Sequence, residues 1–245
     1  MITLKNISFK VPENDNIILS NIDYHIKPHD FVIVLGSNGS GKSSLLKLLD
    51  RRYQLTSGEI AVDKKSIARY SNNEFSKTIV TLTQNCHESL FTSLTLFENY
   101  LLTKQKHENH LFSLATKKEK THFAIYLKNF NAKLSDKIDI VVDKLSGGEK
   151  QALALSLAVL YPPKILLLDE HTSALDPKSA QQIMELTHQV VSKSNMTCLL
   201  TTHDLNIAKS YGNRILALKN GQVHQKIEAP EKDQLTTQAL LAACY

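Results

Sequence analysis

The sequence contains no apolar stretch approaching the ~20 residues that a bilayer-spanning helix needs, so any association with a membrane is expected to run through a partner chain. No leader-like segment stands before Ile2-Thr3-Leu4, and none is expected. Cysteine is scarce: Cys86, Cys198 and Cys244 are odd in number, far apart and form no C-x-x-C pair. That pattern reads as reduced thiols of a cytoplasmic protein, two of them with room in the core. A charge excess of one sign is also lacking, with 29 Lys+Arg against 24 Asp+Glu for a formal net charge of +5. So mild an excess suits polyanionic ligands or a membrane surface but decides nothing alone, and the loose basic cluster around Lys117-Lys118-Glu119-Lys120 reads as a solvated helix face rather than a nucleic-acid site. Internal repeats, low-complexity segments and heptad runs are absent, and glycine is missing from 59 to 146. With 42% of 245 residues hydrophobic, the chain suffices for a large core in one domain, or one domain with an inserted lobe.

What is present begins at Gly36-Ser37-Asn38-Gly39-Ser40-Gly41-Lys42-Ser43, a G-x-x-x-x-G-K-[ST] phosphate-binding loop. The apolar run Phe31–Leu35 before it reads as a buried strand, and Ser44–Leu49 after it as the start of a helix. Strand, glycine-rich loop and helix is the order this chemistry requires. The glycines let successive N–H groups converge on one anion, and the helix adds the positive end of its dipole. Lys42 is expected to reach the β- and γ-phosphates, and the Ser43 hydroxyl to hold Mg²⁺.

Before the loop, Ile2, Leu4, Ile7 and Phe9 mark one β segment, and Ile17–Leu19 and Ile22, Tyr24, Ile26 mark two more. They are separated by turns at Pro12–Asn16 and Lys27–Asp30, which gives a small, mostly antiparallel sheet. After it, Glu59–Asp63 and Ile79–Thr83 read as strands, with Gln84 just past a strand end. Over 88–145 the apolar residues recur at helical spacings, Leu90, Leu94, Leu96, Phe97, Tyr100 and Leu101 first, then Phe123 to Phe130. This predicts a mostly helical lobe inserted into an α/β core. Further on, 165–168 and 198–202 read as strands buried on both faces, 177–194 as an amphipathic helix and 205–211 as a helix capped by Asp204. Asn220-Gly221 predicts a hairpin between 214–218 and 222–226, and the tail from Glu228 turns helical over 239–243.

Three polar sites thus lie at the ends of apolar strands: the loop at 36–43, Asp169-Glu170, and His203. Ligands of doubly wound sheets bind beyond the carboxyl ends of the strands, so all three are expected to converge on one nucleotide. Asp169 would hold Mg²⁺ through a water, and Glu170 would polarise an attacking water. Leu145-Ser146-Gly147-Gly148-Glu149-Lys150-Gln151 then leads into a nearly all-apolar helix, a second anion cradle by the same physics. One nucleotide does not need two cradles from one subunit. The economical reading is that one chain's Ser-Gly-Gly completes another chain's site.

Leu145–Gln151 resembles the signature motif of ATP-binding cassette (ABC) ATPases, and the likeness extends from residue 2 to about 225. It takes in a Walker A loop (Gly36–Ser43), a Q-loop glutamine (Gln84), a Walker B strand ending in Asp169-Glu170, a D-loop (Ser173–Asp176) and a switch histidine (His203). The resemblance implies an α/β fold: a P-loop NTPase core of parallel sheet flanked by helices, with an N-terminal antiparallel β subdomain and an inserted α-helical lobe. One ABC ATPase domain would fill the chain, with its core in 1–87 and 146–227, the lobe in 88–145 and a tail in 228–245. It implies ATP and Mg²⁺ as cofactors, with Glu170, His203 and Lys42 catalytic and Ser43, Gln84 and Asp169 at the metal. Gly36 through Ser44, Gln84, Ser146, Gly147, Gly148 and Glu149 would contact nucleotide, the signature residues from across a head-to-tail dimer, and Asp176 would couple the two sites. The partners implied are a second copy, separate permease subunits and a periplasmic binding protein, with this chain peripheral on the cytoplasmic face of the inner membrane.

Two positions depart from the family. Where an aromatic residue usually stacks on adenine stands Val11, so either Phe9 substitutes or stacking is weak. His171 occupies a place where proline commonly follows the catalytic glutamate, and it reads either as a tolerated loop residue or as a titratable neighbour of the γ-phosphate. The run Asp169–Pro177 also resembles bacterial importers that work with periplasmic binding proteins, some of them for aromatic amino acids. The competing readings are an ABC ATPase of lipid or envelope trafficking and a soluble, non-transport ABC ATPase. One Walker A loop, one signature and no heptads argue against the last.

Overall fold

The computed structural model describes residues 1–12, 15–108, 116–234 and 236–244. In chain order the elements are β1 (Ile2–Lys10), β2 (Ile17–Ile26), β3 (Phe31–Leu35), α1 (Lys42–Leu49), β4 (Ser57–Val62), β5 (Lys65–Ser66), α2 (Asn72–Thr78), β6 (Ile79–Thr83), α3 (Leu96–Glu108), α4 (Lys117–Lys128), α5 (Ala132–Ser135) and α6 (Gly147–Ala158). There follow β7 (Ile165–Asp169), α7 (Pro177–Ser194), β8 (Thr197–Thr202), α8 (Leu205–Ser210), β9 (Arg214–Lys219), β10 (Gln222–Glu228), α9 (Glu231–Gln234) and α10 (Thr237–Cys244). The chain divides into two compact units, one of 1–81, 164–170 and 194–245, the other of 82–163 and 171–193. These cuts fall elsewhere than the lobe limits of 88 and 145, because α6 and most of α7 group with the helices α3 to α5.

The first unit holds two sheets. Strands β2, β1, β4 and β5 form an antiparallel sheet in that order. The other sheet runs β10-β9-β3-β8-β7-β6; β9, β3, β8 and β7 are mutually parallel and β10 turns back along β9. Strands β3 and β8 are buried at every residue, as continuous apolar runs require in a parallel sheet covered on both faces. Leu45, Leu46, Leu48 and Leu49 of α1 join Val32 and Val34 of β3 and Ile165 and Leu167 of β7 in one core, which also takes in Ile2, Leu4, Ile7 and Phe9. Arg214 at the start of β9 is buried and paired with Asp30, at 2.5 Å, and with Glu228. The Asn220-Gly221 hairpin is present, with both residues at positive φ (49° and 74°).

One expectation for this unit needs correction. Residues 17–26 form a single strand rather than two. The alternation breaks at Asn21 because it adopts a left-handed φ of 51° and adds a residue to β2 between the pairs Ile7–Ile22 and Phe9–Leu19. Asn6, at φ 45°, adds the compensating residue to β1, so Ile2 still faces Ile26 and the apolar face returns to the core. Glu13 and Asn14 of the expected turn lie outside the described residues.

The second unit is helical. Phe97 and Tyr100 of α3 pack on Phe123 of α4, the Tyr100 and Phe123 rings stacking at 4.4 Å. The Tyr126 hydroxyl of α4 donates to the Ser156 carbonyl of α6 at 2.7 Å. Leu90 and Leu94, expected on a helix, precede it: α3 starts at Leu96, and buried Asn99 pins the preceding loop through the Phe91 N–H and carbonyl (2.9 and 3.0 Å). Residues 109–115 of the expected lobe lie outside the described residues.

Candidate functional site

The loop from Gly36 to Ser43 is braced from two sides within the first unit. A Cβ on Gly36 would meet the Leu218 carbonyl of β9 at 2.4 Å, and one on Gly41 would meet Leu19 of β2 at 2.5 Å. Gly41 caps α1 at φ 98°, a conformation side-chain-bearing residues rarely adopt, and α1 has no side-chain cap. Lys42 is buried, and its ammonium donates to the Gly36 and Ser37 carbonyls at 3.0 Å each, with Glu170 Oε1 3.5 Å away. Ser44 is half-buried on the first turn of α1; Asn38 and Gly39 are exposed at the loop tip. The Ser40 hydroxyl is buried without a partner among the described residues. Since an orphan buried hydroxyl is costly, a phosphate oxygen seated in the loop would satisfy it, and the donor set fits a nucleotide.

The acids ending β7 meet this loop. Asp169 Oδ1 accepts from the Ser43 hydroxyl at 2.8 Å, which places two hard oxygens together as Mg²⁺ prefers. Glu170 Oε1 also lies 3.5 Å from His203 Nδ1, at the end of β8. Loop, paired acids and histidine are therefore joined into one cluster. A further member escaped the sequence reading. Thr201, buried in β8, donates to Asp169 Oδ1 at 2.7 Å and accepts the Glu170 N–H at 3.1 Å.

The remaining expected residues belong to the second unit. Gln84 is exposed, and its carbonyl accepts from buried Gln151 of α6 at 3.2 Å, a positioning contact the sequence reading also missed. Ser146 caps α6: its hydroxyl accepts the Glu149 N–H at 3.3 Å, while Glu149 Oε2 accepts the Ser146 N–H at 3.0 Å, a complete capping box. Burial pushes the Glu149 carboxyl up, but Lys137, 2.6 Å from its Oε1, and the Ser146 donors outweigh this and hold it below its ordinary value. Gly147 is exposed and Gly148 half-buried; both have ordinary helical φ. Ser146, Gly148 and Glu149 line a cavity of about 540 Å³ together with Asn131, Lys133 and Gln182. Asp176 accepts from the Ser179 N–H at 3.1 Å at the start of α7, and hydrogen bonds from Ser179 lower its pKa.

Both departures resolve into packing. Phe9 is buried, its ring stacked on Tyr53 at 4.8 Å, so it offers no face to a base and does not substitute for the missing aromatic. His171 is buried and bonded through Nε2 to the Thr187 hydroxyl at 3.1 Å. Burial pushes its pKa down to about 4, so it stays uncharged near neutral pH and is no titrating neighbour of phosphate there.

The ABC transporter family model matches residues 19–173. The chain belongs to the ABC transporter ATP-binding family. It is an ATPase of the P-loop α/β class. It is 33% identical to a tyrosine transport ATP-binding protein of Clostridioides difficile (strain R20291), over 98% of this chain and 97% of that one. It is 31% identical to a phosphonates import ATP-binding protein, PhnC 2, of Oceanobacillus iheyensis (strain DSM 14371 / CIP 107618 / JCM 11309 / KCTC 3954 / HTE831), over 85% of this chain and 83% of that one. Among solved structures, a dimeric ATP-binding cassette in a post-hydrolysis state bound to ADP and Pi superposes with a TM-score of 0.75 and 27% identity, covering 93% of this chain and 98% of that one. In this ABC ATPase, no helix among the described residues is long and apolar enough to cross a membrane.

Proposed function

We propose that this ABC ATPase is the motor subunit of a bacterial importer and works as a head-to-tail pair on the cytoplasmic face of the membrane. The observation that carries the reading is the joined cluster of Lys42, Ser43, Asp169, Glu170 and His203 around a loop with an unsatisfied buried hydroxyl. The N–H groups of Gly36 through Ser44 cradle the phosphates, and Lys42 leaves the loop carbonyls for the β- and γ-phosphates. Ser43 and Asp169 would hold Mg²⁺, with Gln84 the further ligand expected from the resemblance; once bound, the ion would neutralise charge building on the phosphate oxygens. Glu170 accepts the proton of the attacking water, and His203 steadies the γ-phosphate. Ser146, Gly147, Gly148 and Glu149 meet the nucleotide held by the partner copy, and Asp176 links the two sites. Helices α3 to α5 present the surface that meets the permease.

The cargo class we propose is an amino acid or a similarly small solute, delivered by a periplasmic binding protein to separately encoded permease subunits. The near full-length likeness to a tyrosine transport protein supports the amino-acid class, and the phosphonates relative is its rival. Glu170→Gln should retain ATP binding, lower turnover about 10²–10⁴-fold and trap a closed dimer; wild-type turnover would reject the assigned role. Co-purification with a membrane permease and a binding protein supports import. Recovery with lipid-trafficking components, or with ribosomes or DNA alone, overturns it.

A further inference from the structure

We infer that Thr201 is a positioning residue that sets both acids of the hydrolytic site, and so fixes how much Mg²⁺ the enzyme needs. This rests on the hydrolysis reading above. The parallel register of β7 and β8 pairs Thr201 with Asp169, so the threonine side chain meets the first acid from the neighbouring strand. Its hydroxyl has one hydrogen. The candidate acceptors are Asp169 Oδ1 at 2.7 Å and the Leu168 carbonyl at 3.4 Å, and the shorter, charge-assisted bond takes the proton. A lone pair then accepts the Glu170 N–H at 3.1 Å. That second bond matters because Glu170 stands at φ 46°, a left-handed conformation that a residue other than glycine holds only where its surroundings enforce it.

One buried hydroxyl therefore fixes the carboxylate of Asp169 and the backbone of Glu170 together. Asp169 Oδ1 also accepts from Ser43, at 2.8 Å. Were the Ser43 oxygen given over to a cation, the Thr201 bond would still hold the Asp169 carboxylate in place. Valine in this place would fill nearly the same volume yet neither donate nor accept, so the bonds from Thr201 to Asp169 Oδ1 and from the Glu170 N–H to Thr201 would both be lost.

The test compares Thr201→Val, Thr201→Ala and Thr201→Ser with wild type, using a fluorescent ATP analogue with and without chelator and steady-state hydrolysis across a Mg²⁺ titration. A bond to a charged group of this kind corresponds to roughly a tenfold to hundredfold change. In Thr201→Val, the half-saturating Mg²⁺ concentration should rise about tenfold or more, with kcat reduced and binding of the analogue in chelator unchanged. Thr201→Ser, which keeps the hydroxyl, should return both Mg²⁺ demand and kcat toward wild type. Unchanged Mg²⁺ dependence in Thr201→Val overturns the inference. So does loss of analogue binding in chelator, or loss of folding, in both the valine and alanine variants, since either marks a purely structural threonine. Full turnover in Glu170→Gln would instead sink the hydrolysis reading, which separates the two failures.

Discussion

The chain starts two helices with glycine and serine, and they end up in opposite states. At α1 the cap is Gly41, no side chain closes the helix, and the buried Ser40 hydroxyl has no partner among the described residues. At α6 the cap is Ser146, and the carboxylate of Glu149 folds back onto its N–H, itself held by Lys137. The free donors of a helix start attract whichever anion is nearest. The residue in the third helical position decides the difference: Ser44 supplies no anion at α1, whereas Glu149 supplies one at α6. The first start is left open for a ligand; the second is satisfied by its own chain until something displaces the carboxylate.

The glycines differ in the same sense. Gly41 is demanded by the fold, through its φ of 98° and the contact with Leu19. Gly147 and Gly148 are not: a Cβ on Gly147 would meet the end of Leu175, and one on Gly148 the Cβ and hydroxyl of Ser179, all at 3.2 Å and none of them a backbone atom. Gly41→Ala should therefore cost about 2–5 kcal/mol, the sum of a left-handed alanine and an overpacked contact. Gly148→Ala should cost less than about 1 kcal/mol, yet reduce ATP turnover if, as proposed, the partner copy's nucleotide comes up against it. Chemical denaturation of both variants checks this, and equal losses would erase the distinction between the two starts.

Lys42→Ala addresses the open start directly. Removing one charge-assisted donor should weaken ATP binding about tenfold to a hundredfold, read by titration with a fluorescent analogue. Wild-type affinity would take the α1 loop out of the site. The same measurement on Ser146→Ala in an isolated monomer should show no loss, because nothing in that start is expected to face the nucleotide of its own subunit.

Much of this was legible in the sequence, for physical reasons that also mark where legibility stops. Apolar runs such as 165–168 announce strands buried on both faces, and Asn220-Gly221 announces its hairpin, because burial and positive φ leave marks on residue type. The break at Asn21 misled because a bulge interrupts alternation without ending a strand. Leu90 and Leu94 misled because apolar spacing alone does not reveal that Asn99 pins a loop before α3. Within the site, the loop, the paired acids and His203 stood out as polar groups at strand ends. Thr201 did not. Every residue of β8 is buried, so a threonine there gives no pattern, and only the strand register discloses that it faces Asp169.

The smallest expected effect bears on the closed start. Glu149→Ala removes the carboxylate that caps α6 and should cost about 1 kcal/mol at neutral pH; Glu149→Gln keeps an acceptor for the cap, loses the Lys137 pair, and should cost roughly half as much. The pH dependence has a definite sign. Although burial opposes ionisation, Lys137 and Ser146 hold the Glu149 carboxyl below its ordinary value of 4.5. Its contribution is therefore fully present above the ordinary value and lost as pH falls through the lowered one. Denaturation midpoints of wild type and Glu149→Gln should converge below about pH 4.5. Curves that stay parallel as the acid range is crossed would mean that no charged carboxylate closes α6, and the contrast between the two helix starts would then rest on the glycines alone.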